Sequence, residues 1–87
     1  MYHVRLLAAA SKDLAKLDKP IARRIVDRVH WLAGNLGEAN REALTGEFEG
    51  LFKLRGGDHR VVYELLHEER SIIIHMIGHR REIYRRR

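Results

Sequence analysis

The chain has 87 residues, no cysteine, and 17 Lys and Arg against 12 Asp and Glu, for a formal net charge of +5. That length fits one domain spanning residues 1–87 around a small core, and the lack of cysteine excludes disulfides and thiolate zinc sites as its staples. A composition 45% apolar and 33% charged lies outside the disordered regime, and the cationic excess sets up a positive field that phosphate backbones most commonly answer.

In chain order, Tyr2 to Leu7 is rich in β-formers and predicts a first strand. Met1 leads straight into it and no apolar run approaches about 18 residues, so neither a signal peptide nor a membrane span is expected. A reducing cytoplasm fits the absence of cysteine. Ala10, Leu14 and Leu17 then share one helical stripe, with Lys12, Asp13 and Lys16 pointing away. Asp18 is placed to cap a second helix, with Pro20 in its first turn, where a missing N–H costs little. Ile21, Ile25, Val29 and Leu32, widened by Ala22, Val26 and Ala33, give that helix a broad apolar face. Gly34 and Gly37 end the pattern, so residues 8–34 predict a helical hairpin.

Residues 35–47 carry little periodicity and read as a loop. Beyond Gly50 the period falls to two, with Phe52 and Leu54 alternating with Lys53 and Arg55. Gly56-Gly57-Asp58 supplies a hairpin turn, after which Val61, Tyr63 and Leu65 alternate with Arg60, Val62 and Glu64. His67 to Arg70 is a polar turn. Ser71 to Ile77 is apolar at nearly every position, which predicts burial on both faces and a central place in the sheet. The sum is an α+β domain: a strand, a helical hairpin and a three-stranded antiparallel meander, with the helices on one face of a mostly antiparallel four-stranded sheet.

The other face of that sheet carries the candidate chemistry. If Phe52 and Leu54 face the helices, the pleat turns Leu51, Lys53 and Arg55 to the opposite side, where Arg60 joins them from the next strand. Like charges gathered across strands destabilise a sheet, so Lys53, Arg55 and Arg60 together point to an anion that offsets their repulsion. The tail Gly78-His79-Arg80-Arg81-Glu82-Ile83-Tyr84 followed by Arg85-Arg86-Arg87 adds cations, an imidazole and a phenol where the last strand ends. RNA cleavage without a metal needs such groups: a 2′-hydroxyl must lose its proton, the phosphorane's charge must be stabilised, and the leaving 5′-oxygen must gain a proton. Arg and Lys suit the second task and His79 or Tyr84 the proton transfers, with acid and base left open.

These residues resemble the RelE branch of the RelE/ParE toxin superfamily along nearly the whole chain. The most specific stretch, Arg55-Gly56-Gly57-Asp58-His59-Arg60-Val61-Val62-Tyr63, is similar to the family's Arg-x-Gly-Asp-Tyr-Arg-Val-Ile-Tyr hairpin. The closing Gly78-His79-Arg80-Arg81-Glu82-Ile83-Tyr84 is similar to its His-Arg-x-Glu-Val-Tyr ending. The resemblance implies a type II toxin that cleaves mRNA in the ribosomal A site and is neutralised by a small RelB-like antitoxin, acidic or amphipathic, with operator DNA reached only through the toxin–antitoxin complex. It also implies roles: Lys53 as a basic residue of the cleft, Arg60 as a phosphate contact, Arg80 near the leaving group, His79 in proton transfer, and Tyr84 as the aromatic that positions or activates the nucleotide. Arg55, Arg81 and Arg85 are then further RNA or phosphate contacts. One departure is Leu51, where a RelE toxin can carry a second lysine, which shifts weight onto His79 and Tyr84.

Plainer roles compete at each position. Arg60 can pair with Glu64 or with another acid, Lys53 can be a solvated strand lysine, His79 can cap a strand end, Tyr84 can pack, and Arg85 to Arg87 can be a solvated tail. Tyr63 and Trp31 are assigned to the core or its edge. His75 and His79, four apart in a strand, stand about 13 Å from one another, too far to share an ion, so no metal or other cofactor is expected. Two rival functions share the fold: a ParE-like toxin that inhibits DNA gyrase without cutting RNA, and a degenerate domain that only binds antitoxin and operator DNA.

Overall fold

The computed structural model describes residues 1–85, so Arg86 and Arg87, part of the expected solvated tail, lie outside the described residues. β1 (His3–Leu6) leads into α1 (Ala8–Lys16) and α2 (Lys19–Gly34), and β2 (Glu42–Ala43) and a 3₁₀ turn at Gly46–Phe48 follow. Then come β3 (Phe52–Gly56), β4 (His59–Leu66), β5 (Ser71–His79) and a second 3₁₀ turn at Ile83–Arg85. The strands make one sheet in the order β1-β5-β4-β3-β2, with β1 parallel to β5 and the other neighbours antiparallel.

The helical hairpin covers one face. Ala10 of α1 and Ile25, Val29, Leu32 and Ala33 of α2 pack on Leu54, Val61, Tyr63, Ile72, Ile74 and Ile77. The alternation along β4 therefore holds: Val61 and Tyr63 go to the helices, while Arg60, Val62 and Glu64 take the other side. β5 lies between β1 and β4 and is buried at Ile72, Ile73, Ile74 and Ile77, as its uniformly apolar sequence required. Val62 and Ile73 are buried without belonging to the helix-side core. On their side the C-terminal 3₁₀ turn packs on β5 and buries Ile83 completely.

Three local expectations are corrected. The sheet has five strands, because Glu42 and Ala43, inside the stretch read as a loop, pair with Lys53 and Phe52. Two residues are too few to show a period of two. Asp13 does not point away: its Oδ2 accepts the N–H of Ile77 at 3.0 Å. Pairing of β1 with β5 ends at Ile74, so the chain beyond draws an acceptor from α1 instead. Asp18 precedes α2 as expected, but its side chain makes no capping bond; its backbone carbonyl receives the N–H of Ala22.

The hairpin between β3 and β4 positions the site. Gly57 has φ +65°, a left-handed conformation that glycine adopts without strain. Gly56 serves close packing, since a Cβ there would stand 2.7 Å from Cδ1 of Ile25, itself in the core. Gly56→Ala is expected to lower stability by about 1–3 kcal/mol through overpacking, read as a fall in urea midpoint at unchanged slope. Ile25→Val in the Gly56→Ala background removes the clashing methyl and should recover part of the loss. An additive double mutant would refute this account of Gly56.

Candidate nucleic-acid interface and active site

The register places like charges directly opposite one another: Arg55 pairs with Arg60, and Lys53 lies across from Val62 on β4 and Glu42 on β2. Two separate arrangements make this tolerable. Arg55 is gripped by Glu42, with Nε and Nη2 donating to the two carboxylate oxygens at 2.9 and 3.2 Å, and Lys53 Nζ approaches the same carboxylate at 3.6 Å. The anion expected to offset the cluster is thus partly internal. The hydrogen bonds from Arg55 hold the Glu42 carboxyl below the usual range; burial, the next-largest influence, opposes this, and the charges of Arg55 and Lys53 add to the lowering. Glu42 in turn raises Arg55.

Arg60 is held differently. It is 8% exposed, and its Nη1 donates to the carbonyls of Gly57 at 2.8 Å and His59 at 2.9 Å. It has no carboxylate partner among the described residues, and Glu64, its suggested mate, instead bonds His75 at 3.0 Å. No buried side-chain nitrogen among the described residues lacks a partner, so Nε and Nη2 of Arg60, which make no bond among the described residues, retain some accessible surface. The hairpin turn therefore presents a fixed guanidinium whose charge is not cancelled.

Tyr84, in the C-terminal turn, comes to the same region. Its ring packs edge-on against Phe48, with centroids 5.9 Å apart, and it feels the charges of Arg60, Arg55 and Glu42. Burial raises the phenol above its ordinary value, Glu42 pushes the same way, and the two arginines oppose. The neutral, hydrogen-donating form therefore prevails at physiological pH.

The end of β5 supplies the remaining candidates. His79 pairs with His59 across the strands, with ring centroids 5.5 Å apart. Its Nδ1 accepts the backbone N–H of Arg81 at 3.1 Å, which in the neutral ring leaves the proton on Nε2. His79 so held is a donor; service as a base requires that bond to break. The backbone N–H of Arg80 donates to the Asp58 carbonyl, and its guanidinium Nε lies 3.8 Å from the Asp58 carboxylate, a loose and exposed pairing. Arg81 and Arg85 are exposed at the rim.

The structure thus brings Lys53, Arg55, Arg60 and Tyr84 together, with His79 and Arg80 at the adjoining strand end. Sequence reasoning passed over Glu42, the acid that binds two of the expected cations, because no periodicity marked its strand. It also placed Trp31 in the core or at its edge; the side chain is 42% exposed, with the Arg28 guanidinium 5.0 Å from its ring. Among the described residues no group of three or more His, Cys, Asp or Glu could hold a metal ion, and no helix is long and apolar enough to cross a membrane.

Comparison with known proteins bears on the family and the fold. The sequence pattern of the family described as "ParE toxin of type II toxin-antitoxin system, parDE" matches residues 4–84. Toxin RelE of Mycobacterium tuberculosis (strain ATCC 25618 / H37Rv) is 34% identical over 84 residues, covering 97% of this chain and 87% of the relative. Toxin RelG of the same organism is 32% identical over 91 residues, covering 98% of each. The crystal structure of the toxin–antitoxin complex RelBE2 from Mycobacterium tuberculosis includes a chain that superposes with a TM-score of 0.80 at 27% identity, covering 90% of this chain and 96% of that one. A family-wide pattern, two curated relatives and a closely superposing structure agree along nearly the full length: the chain belongs to the RelE/ParE family, as a RelE-type toxin of a type II toxin–antitoxin system.

Proposed function

We propose that the protein is an endoribonuclease that cuts mRNA on the ribosome by attack of a 2′-hydroxyl on the adjacent phosphorus. The observation that carries the reading is the carbonyl-anchored guanidinium of Arg60, uncancelled by any described acid, beside the protonated phenol of Tyr84. In the reaction the O2′–P bond forms and the P–O5′ bond breaks, giving a 2′,3′-cyclic phosphate and a 5′-hydroxyl. Arg60 meets the phosphorane's developing charge with donors already in place, so little reorganisation is needed as the charge builds. The proton of the attacking 2′-hydroxyl passes to His79 once its Nδ1 releases the Arg81 N–H, Tyr84 gives its proton to the departing 5′-oxygen, and Arg80 leaves its loose contact with Asp58 to join the phosphate. Lys53 and Arg55 extend the cationic track along β3, damped by Glu42.

The Mycobacterium tuberculosis relative described above was solved as a toxin–antitoxin complex. We extend this to a cognate antitoxin, RelB-like and amphipathic. Its apolar side finds a site at Leu6, Leu7 and Val26, which are exposed although apolar and flank a cavity of about 100 Å³ between β1 and the two helices.

Three outcomes test these readings. In a translation extract, Arg60→Ala is expected to lower the cleavage rate about 10²- to 10³-fold, and the Arg60→Ala, Arg80→Ala double change to abolish it, with mapped mRNA ends as the measure. Wild-type cutting by the double variant, or DNA breaks in place of translation arrest in induced cells, would overturn the nuclease reading. Glu42→Gln should free Lys53 and Arg55, tightening RNA binding and steepening its decline with salt. Its stability should also respond differently to acid. The lowered carboxyl of Glu42 stabilises the fold above its ordinary pKa of 4.5, and that contribution is lost as pH falls through the depressed value. Urea titrations should accordingly converge for the two proteins at low pH and separate above it. Val26→Glu should weaken antitoxin binding at least tenfold by calorimetry, roughly the effect of one misplaced interface charge, while leaving cleavage intact.

A further inference from the structure

A second cleft lies behind the candidate site, on the side of β3 that faces α2. It encloses about 240 Å³ and is walled by Arg28 and Trp31 of α2, by Asn40 in the connection, and by Glu42, Arg55 and Tyr63 of the sheet. Arg55 and Glu42 also belong to the cationic face, so the two sites share a wall. Trp31 is 42% exposed, an unusual position for the chain's one tryptophan, and the Arg28 guanidinium stands 5.0 Å from its ring centroid. Arg28 is fixed there, because its Nε donates to the Arg55 carbonyl at 3.1 Å and ties α2 to β3.

We propose that this cleft is a nucleobase subsite, in which an unstacked base of the bound RNA lies against Trp31 and Arg28 while its phosphate remains on the Arg55 side. The proposal rests on the RNA-binding reading above and names a specificity element for it. An indole and a guanidinium are flat surfaces on which a base stacks regardless of its identity. Asn40 and Glu42 then supply the edge contacts that distinguish bases. Both Glu42 oxygens already accept from Arg55, but each carboxylate oxygen has capacity for a second donor. Adenine, cytosine and guanine offer an exocyclic amine as that donor, whereas the edge donor of uracil, N3–H, is flanked by two carbonyls that repel the carboxylate. Arg28, Lys53 and Arg55 in the lining would attract any anion, but the flat indole and guanidinium beside the edge groups of Asn40 and Glu42 match a base rather than an acidic peptide.

Trp31 makes the test direct, since it reports on the cleft alone. Intact protein is titrated with short single-stranded oligonucleotides carrying 2′-O-methyl groups, which block the attacking hydroxyl, so binding is read whether or not the protein cuts RNA. Saturable quenching of Trp31 by amino-bearing sequences, weaker with oligouridine, is expected. Trp31→Ala, followed by anisotropy of a labelled oligonucleotide, should weaken binding roughly 5- to 100-fold, the range for loss of one stacked base. Trp31→Phe should retain most of the affinity. In the cleavage assay Trp31→Ala should raise KM and relax sequence preference, a pattern distinct from the rate loss of Arg60→Ala. Binding that leaves Trp31 fluorescence unchanged, equal affinity in Trp31→Ala, or quenching by a polyglutamate peptide but not by RNA would each overturn the subsite. A protein that quenches as expected yet cuts no mRNA would retain the base subsite and lose the nuclease.

Discussion

The register of β3 against β4 sets Arg55 and Arg60 side by side on one sheet face, and most of the site's character follows from how that repulsion is relieved. One guanidinium is given to a carboxylate and the other to two backbone carbonyls. The outcomes differ electrostatically. A carboxylate cancels the charge it binds, while a pair of carbonyls orients a guanidinium and satisfies part of its donor set without removing its formal charge. The same strand pairing therefore produces a neutralised arginine at the sheet edge and an uncancelled one near its middle. Arg60 is the one of this pair whose charge no described carboxylate cancels, and the proposed chemistry uses it there.

That arrangement depends on an unequal use of the sheet's two faces. The helical hairpin takes one face completely, and its apolar stripes fill the space above Leu54, Val61, Tyr63, Ile72, Ile74 and Ile77. The other face is only partly covered, by the C-terminal turn that buries Ile83 and brings Tyr84 near the arginines. A complete cover would have forced the cations into apolar surroundings at prohibitive desolvation cost. A bare face would have left Val62 and Ile73 in water and the phenol far from the cluster. The short terminal turn serves both packing and placement, which is why a small domain can hold a core and a charged cleft across one layer of strands.

A β-bulge near the middle of β5 marks the boundary between these uses. Val62 pairs with Met76 but Tyr63 pairs with Ile74, so His75 is the extra residue, and its ring turns to Glu64. The two residues form a half-exposed pair that stands apart from the arginine cluster. Glu64 and Arg60, four apart along β4, stand about 13 Å from one another and do not pair, and His59 and His79, not His75, are the imidazoles at the adjoining strand end.

Much of this was present in the order of residues. The helical stripe of α2, the alternation of β3 and β4, the Gly56-Gly57-Asp58 turn and the apolar β5 specify an α+β fold locally, because periods of 3.6 and 2 report which side of an element is buried. The same alternation put Lys53, Arg55 and Arg60 on one face before any contact was known. Tertiary structure alone decided what those cations touch. Glu42 meets them through a two-residue strand with no period to announce it, Asp13 finds Ile77 across 64 positions of sequence, and Trp31 opens to solvent beside a cleft made by four separate segments. The physical reason is range: hydrophobic pattern is a property of neighbours along the chain, whereas the partner of a charge is set by whichever group the folded backbone happens to bring within a few ångströms.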